Sequence, residues 1–122
     1  MSRGTAFAIA VGAAAGGPAR YALAEVIHVA PHTFPWATFW TNVSGSLVIG
    51  LVGARLPLSG YGRPLVMTGF LGAFTTYSTF AVETDLLVKD GHAGIAVAYV
   101  VASLTAGVAA AFCASVLARR RA

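Results

Sequence analysis

Four long stretches of this chain contain no charged side chain, and they restrict the folds that the chain can adopt. Each stretch approaches or exceeds the roughly 20 residues that a helix needs to cross the hydrocarbon core of a bilayer. Charged residues make up only 10% of the chain, whereas soluble domains contain about 25%. Lipid is therefore the expected solvent. The four stretches are Gly4–Ala19, Thr33–Ala54, Pro64–Val82 and Ala93–Ala118.

These stretches predict an all-α membrane protein with one domain, residues 1–122. The expected transmembrane helices lie at about 4–28, 34–55, 62–88 and 93–118. Four short spans enclose little interior, and polar side chains that face lipid are costly. We therefore expect the polar residues described below to be covered by a partner chain. Gly12 and Gly16, four residues apart, predict a surface where another helix backbone approaches closely.

The formal net charge of +4 indicates topology rather than a nucleic-acid partner. Four spans place both termini and the loop between spans two and three on the same side. Because Lys and Arg collect on the cytoplasmic side, we predict a multi-pass protein of the bacterial plasma (inner) membrane with both termini in the cytoplasm. The arginines on that side are Arg3, Arg55, Arg63 and Arg119–Arg121.

The third span contains the sequence GFLGAFTTYSTF, residues 69–80, which disfavours a continuous helix. Its two glycines and the β-branched pair Thr75–Thr76 weaken helical structure locally. A break at membrane depth is tolerated where the freed backbone is buried in protein or lines a cavity. Because a break frees carbonyl oxygens, the sequence predicts a site for a hard cation there.

Polar and aromatic side chains follow the same spans. Thr38, Asn42 and Ser46 share one face of span two. Asn42 either bonds neighbouring helices together or donates to a solute along a path. After the break, Tyr77 and Phe80 either fill the core or present positively charged ring edges to an anion. Ser103 in span four is a further hydroxyl, although such hydroxyls often bond to their own helix.

Two charged residues within the spans leave alternatives open. Arg20 either pairs with Glu25 or attracts an anion near a vestibule. Glu83 lies either at a pore mouth or in solvent near the end of its span. A path lined by amide, hydroxyl and ring-edge hydrogens, without paired buried carboxylates, favours an anion. The residues alone therefore indicate an anion-selective path in a small oligomer.

Three motifs resemble those of the Fluc (CrcB-type) fluoride channels. They are GGPARYAL at 16–23, PWATFWTNVSGSLVIG at 35–50 and GFLGAFTTYSTF at 69–80. The resemblance implies an antiparallel dimer with two narrow pores that exports fluoride passively from the cytoplasm. It also implies a structural, non-transported sodium ion at the dimer centre.

The resemblance further assigns roles to individual residues. It implies a fluoride pore lined by Asn42, Tyr77, Phe80, Thr38 and Ser103. Arg20 matches the vestibule arginine and Glu83 the carboxylate at the pore mouth. The backbone carbonyls of Gly72 and Thr75 match the sodium ligands.

The chain departs from this family pattern in two places. Tyr77 stands where the family usually has Phe, which predicts that its phenol tunes or impairs one pore. Pro18 stands where members more often continue toward Gly-Ala, which affects the placement of Arg20. The assembly is expected to be an antiparallel homodimer or a heterodimer with an oppositely oriented paralogue. A homodimer of dual topology needs a weak charge bias, so the strong bias of this chain favours the heterodimer.

Two other functions are compatible with a short four-span chain. A small multidrug-type, proton-coupled exporter needs a titratable carboxylate midway along the first span, whereas Glu25 lies near its end. A non-transporting scaffold subunit predicts that Asn42 serves stability alone. An enzyme is not expected, because no nucleophile–base pair is visible in the sequence.

Overall fold

The structure is a computed structural model that describes residues 1–55 and 57–121. Over these ranges the chain forms helices and no strands. The predicted third span corresponds to three consecutive helical segments between Pro64 and Lys89. The observed ends of all four predicted spans lie within two residues of their expected positions. The elements are α1 (Arg3–Val26), α2 (Trp36–Arg55), a π-helix (Pro64–Phe70), α3 (Leu71–Phe74), α4 (Ser78–Lys89) and α5 (Ala93–Arg120).

Three helical segments of the described chain are long and apolar enough to cross a membrane: α2, Pro64–Lys89 and α5. The fourth long helix, α1, is rich in Gly and Ala and contains Arg20 and Glu25. The glycines and the charged side chains lower its mean hydropathy, so a membrane span at α1 stays a prediction. The observed class is an all-helical protein with apolar, membrane-compatible helices.

Consecutive long helices run in opposite directions, as the positions of their connections show. At one end, the Tyr61 ring lies against Gly4 at the start of α1. At the other end, Nδ1 of His32 lies 3.5 Å from Oδ2 of Asp90, and the His32 and His92 rings are 5.1 Å apart. The arginines that were predicted to share one side therefore do lie at one end of the molecule.

The predicted close approach at Gly12 and Gly16 is confirmed. Both glycines are buried, and a Cβ on either would overlap a carbonyl oxygen of the π-helix, that of Leu65 or Phe70 respectively. Since no side chain separates the two backbones, the backbone of the π-helix packs directly on the backbone of α1.

The predicted break in the third span is also confirmed. The π-helix joins α3 through a hydrogen bond from the Leu71 N–H to the Val66 carbonyl, and α3 ends at Phe74. Thr75 is extended, with φ −77° and ψ 155°. Helical structure resumes at Ser78, so the chain is unwound at the depth where the sequence places its polar run.

The core lies where α2 and α5 pack side by side. Its buried members include Phe39 of α2, Leu87 of α4 and Tyr99 of α5. Tyr99 is fully buried, with its ring 4.9 Å from that of Phe80. This packing fixes α2, α4 and α5 relative to one another around the break.

Candidate ion pathway

Asn42 is bonded to the backbone of the break through both ends of its amide. The Thr76 N–H donates to Asn42 Oδ1 at 2.8 Å, and Asn42 Nδ2 donates to the Thr76 carbonyl at 2.9 Å. The second N–H of the amide has no partner among residues 1–55 and 57–121. Asn42 therefore joins α2 to the third span and also retains a donor, so the two sequence interpretations of this residue are compatible.

The same hydrogen bonds explain why the helix does not close. In a continuous α-helix the Thr76 N–H would bond to the Gly72 carbonyl, four residues back. Here that N–H goes to Asn42 instead. Likewise, the Thr79 N–H would bond to the Thr75 carbonyl, but it donates to Thr76 Oγ1 at 3.1 Å. Two side-chain oxygens thus replace two backbone acceptors.

The displaced acceptors are the two carbonyls that the family resemblance implies as sodium ligands. In the described chain, no donor reaches the carbonyl oxygen of Gly72 or of Thr75. Unpaired carbonyls at membrane depth are costly unless they find a donor or a cation. The local structure therefore fits a site for a hard cation.

Four of the predicted pore residues line one cavity of about 460 Å³. Asn42 and Ser46 enter from α2, Tyr77 and Phe80 from the start of α4, and Ser103 from α5. The Ser103 Oγ is buried and has no hydrogen-bond partner within the described residues. Because most buried polar atoms are paired, this hydroxyl is available to a ligand in the cavity.

The two aromatic residues of this cavity differ in exposure. The Phe80 ring is half-buried and packs on Tyr99, whereas Tyr77 is 81% exposed. Their ring centroids are 6.3 Å apart. The side of the cavity at Phe80 is therefore closed by packed protein, whereas the side at Tyr77 is exposed at the surface of the single chain.

Arg20 and Thr38 lie elsewhere, on a second cavity of about 220 Å³. Thr79 also lines it, and Thr76 contributes to both cavities. Both cavities therefore adjoin the break at Thr76. Arg20 has no salt bridge within the part of the chain that the structure describes, and the pairing with Glu25 is not observed. The helix α1 continues through Pro18, so the proline does not displace Arg20 from the cavity.

Glu83 is held between α2 and α5 rather than left in solvent near the end of its span. Thr38 Oγ1 donates to one carboxylate oxygen at 2.9 Å, and the Tyr99 hydroxyl donates to the other at 2.7 Å. Thr38, Glu83 and Tyr99 thus form one hydrogen-bonded group beside the smaller cavity. In this group each oxygen of the carboxylate accepts one hydrogen bond from the protein.

Sequence reasoning did not identify Tyr99. A signal was present, because Tyr99 lies four residues before Ser103 and such residues share one face of a helix. That pair of polar groups lies within a predominantly apolar span. Its partner Glu83 lies 16 residues away in sequence, so the hydrogen bond itself was not predictable from local pattern.

The sequence matches known proteins over nearly its whole length. The family model described as CrcB-like protein, Camphor Resistance (CrcB), covers residues 7–115. The fluoride-specific ion channel FluC 1 of Mycobacterium bovis is 44% identical in an alignment of 117 positions that covers 93% of this chain and 89% of the relative.

Two relatives come from a single organism, Streptomyces avermitilis. Its fluoride-specific ion channel FluC 3 is 42% identical over 114 residues, 90% of this chain and 56% of the relative. Its FluC 2 is 44% identical over 100 residues, 79% of this chain and 63% of the relative. Family model and relatives agree, and the protein is therefore a member of the CrcB family, to which the fluoride-specific FluC channels belong.

Proposed function

We propose that this chain forms a fluoride-selective channel through which fluoride leaves the cytoplasm passively. The observation that carries the proposal is the convergence of Asn42, Tyr77, Phe80 and Ser103 on one cavity. Fluoride binds water strongly, so a pore must replace that water with hydrogen-bond donors. The unused Asn42 N–H and the unpaired Ser103 hydroxyl are such donors, while ring edges bind more weakly and let the ion leave.

The hydrogen bonds around the break favour an anion over a cation in this cavity. The Asn42 oxygen is occupied by the Thr76 N–H, and the Thr76 carbonyl by the Asn42 amide. Both Glu83 oxygens are occupied by hydroxyl groups. Each of these oxygens already accepts one hydrogen bond from the protein, whereas the second Asn42 N–H and the Ser103 hydroxyl have no partner among the described residues and can donate to a solute. Arg20 adds positive charge beside the smaller cavity.

We also propose that sodium binds at the break as a structural ion. The Gly72 and Thr75 carbonyls would hold it, because neither has a hydrogen-bond donor in the described chain. When bound, sodium supplies positive charge that compensates these oxygens. The chain contributes the unwound backbone, which Asn42 and Thr76 Oγ1 keep from closing into a helix.

An antiparallel dimer is the proposed assembly. Gly72, Tyr77, Ser78 and Thr79 are exposed in the monomer, and exposed irregular backbone is not tolerated against lipid. A second chain would cover the break, close the cavity at Tyr77 and supply further carbonyls for the sodium ion.

The partner in this dimer is proposed to be a paralogue with the opposite orientation. Arg3, Arg55, Arg63 and Arg119–Arg121 lie at one end of the molecule, and no acidic residue of the chain lies among them. At the other end, Lys89 Nζ is 2.7 Å from Asp85. This bias favours one orientation, with both termini cytoplasmic. Separately numbered FluC relatives in Streptomyces avermitilis are consistent with pairs of such chains.

Fluoride efflux from liposomes that contain this chain co-expressed with an oppositely biased paralogue tests the channel proposal. We expect fluoride efflux without chloride efflux, and loss of flux when sodium is replaced by a large organic cation. Proton-coupled efflux of a cationic dye would instead support a multidrug-type exporter. No flux of any solute, alone or with a co-expressed paralogue, would support a scaffold subunit.

The same efflux assay shows whether this chain needs a paralogue as its partner. If this chain is expressed alone and reconstituted, we expect little flux, and co-expression of an oppositely biased paralogue should restore it. Full fluoride flux from this chain by itself would refute an obligate heteromer and would leave the channel proposal intact.

Tyr77→Phe is predicted to raise the rate of fluoride efflux. The phenol adds a hydroxyl that can bind fluoride more tightly than a ring edge and so delays its release. Loss of one such hydrogen bond should accelerate efflux about two- to tenfold. Tyr61→Phe removes a phenol from an exposed loop and serves as the control. Equal efflux rates for native and Tyr77→Phe protein would contradict the prediction.

A further inference from the structure

Gly45 on α2 is buried directly against the break. A Cβ built on Gly45 would overlap Cγ2 of Thr75 and would lie 3.5 Å from Cδ1 of Phe74. The Thr75 methyl group therefore occupies the space that a side chain at position 45 would need. This contact is separate from the hydrogen bonds of Asn42, which lies three residues earlier on the same helix.

The Thr75 side chain is held in place by its other branch. Thr75 Oγ1 donates to the Leu71 carbonyl at 2.8 Å, and the Thr75 N–H donates to the same oxygen at 2.9 Å. Hydroxyl and methyl sit on one Cβ, so a rotation that moves the methyl also breaks the hydroxyl bond. The methyl therefore cannot retreat from position 45 without disturbing the end of α3.

The spacing between Asn42 and Gly45 on α2 is about 1 Å longer than one extended residue of the break, so the two positions can contact neighbouring residues there. Positions three apart on a helix are separated by a rise of about 4.5 Å, and one extended residue spans roughly 3.3–3.6 Å. Asn42 contacts the backbone of Thr76 while Gly45 contacts the side chain of Thr75. Two successive residues of the unwound chain are thus fixed by two points on one helix.

We propose that Gly45 is a positioning residue. The space that its missing side chain leaves accommodates the Thr75 methyl group. This contact fixes the residue at which the third span becomes extended and the direction of the Thr75 carbonyl. The inference rests on the proposed function for its flux and sodium readouts. The steric fit between positions 45 and 75 is tested independently by the stability of the folded protein.

Exchange of a single methyl group between the two positions tests the proposal. Gly45→Ala adds a methyl group where one already lies, and fluoride efflux should fall about tenfold or more, as expected for overpacking a close-packed site. Thr75→Ser removes the methyl but keeps the hydroxyl, so the carbonyl is less firmly placed and efflux should fall about two- to fivefold, less than in Gly45→Ala. The double variant Gly45→Ala/Thr75→Ser should recover to within about threefold of native, because the added methyl fills the vacated space.

Two controls separate this fit from general effects on α2. Gly53→Ala makes the same change on the same helix, where the nearest atom, Met67 Cε, is 4.0 Å from the added Cβ, so efflux should not fall. Thr75→Val keeps a methyl group and removes the hydroxyl, so it should not rescue Gly45→Ala. Rescue by Val as well as by Ser would overturn the proposal.

Thermal unfolding with and without sodium supplies the second readout. Gly45→Ala should weaken the stabilisation that sodium confers, and Thr75→Ser should restore it in the double variant. An equal loss of stability with and without sodium, or native behaviour of Gly45→Ala, would overturn the proposal. If Gly45→Ala does not fold, recovery of folded protein in the double variant supports the fit, and no recovery refutes it.

Failure of the proposed function gives a different result. If native protein conducts no fluoride under any condition, the channel proposal fails. The unfolding temperatures of the four proteins still decide whether Thr75→Ser compensates for Gly45→Ala.

Discussion

Asn42→Leu should nearly abolish fluoride efflux and remove the stabilisation of the protein by sodium. The substitution leaves the Thr76 N–H and carbonyl without their partners, and each unpaired buried group costs about 1–3 kcal/mol. The Thr76 N–H can recover a partner by bonding to the Gly72 carbonyl, which closes the break and removes a proposed sodium ligand. A loss of about 3 kcal/mol corresponds to roughly a 100-fold change in an equilibrium, and efflux should fall about 100-fold or more.

Asn42→Asp separates the two roles of this residue. An ionised carboxylate still accepts from the Thr76 N–H, yet it donates nothing to the Thr76 carbonyl or to fluoride. We expect efflux to fall as far as in Asn42→Leu while part of the stabilisation by sodium persists. Thr105→Val is the control, because Thr105 is exposed on α5 and bonds to its own helix. Native efflux in Asn42→Leu would contradict both roles.

Glu83→Ala should lower the unfolding temperature and reduce fluoride efflux about tenfold, as expected for a buried hydroxyl left without its acceptor. Tyr99 is fully buried, and its hydroxyl loses the carboxylate to which it donates in the native protein. Thr38 loses the same partner. Glu83→Gln keeps the shape and one oxygen, and should recover most of the unfolding temperature.

A double-mutant cycle measures the contact that carries this effect. Tyr99→Phe removes the donor and keeps the ring contact with Phe80, at 4.9 Å. Because the two residues share one hydrogen bond, Tyr99→Phe/Glu83→Ala should cost less than the sum of the single changes. Strict additivity would show that the two residues act independently.

Glu25→Ala removes an exposed carboxylate of α1. The substitution should leave fluoride transport intact, whereas a multidrug-type exporter would lose its transport activity.

Much of the fold follows from the chain's local composition. Long charge-free stretches dictate apolar helices, and the observed helices end close to the expected positions. The break was predictable because Gly72, Thr75 and Thr76 all disfavour a helix in the residues that form it. Gly12 and Gly16 similarly predict a close helix contact, although their spacing does not reveal that the partner is the π-helix.

The pairings at the site depend on contacts between residues distant in sequence. Asn42 and Thr76 are 34 positions apart, and Thr38 and Glu83 are 45 apart. Periodicity shows which face of a helix carries a polar group, but the partner is chosen by how the helices pack. For this reason the partners of Tyr99 and Gly45 were not predictable from local sequence pattern.

By itself, the sequence determined that the third span must weaken near its Gly and Thr residues, because helix propensity is a local property of each residue. Only the tertiary structure decided which hydrogen bonds keep that weak point open. The amide of Asn42 and the hydroxyl of Thr76 take the two N–H groups that would otherwise close the helix. They do so because α2 lies against the break and because the chain turns Thr76 Oγ1 toward Thr79.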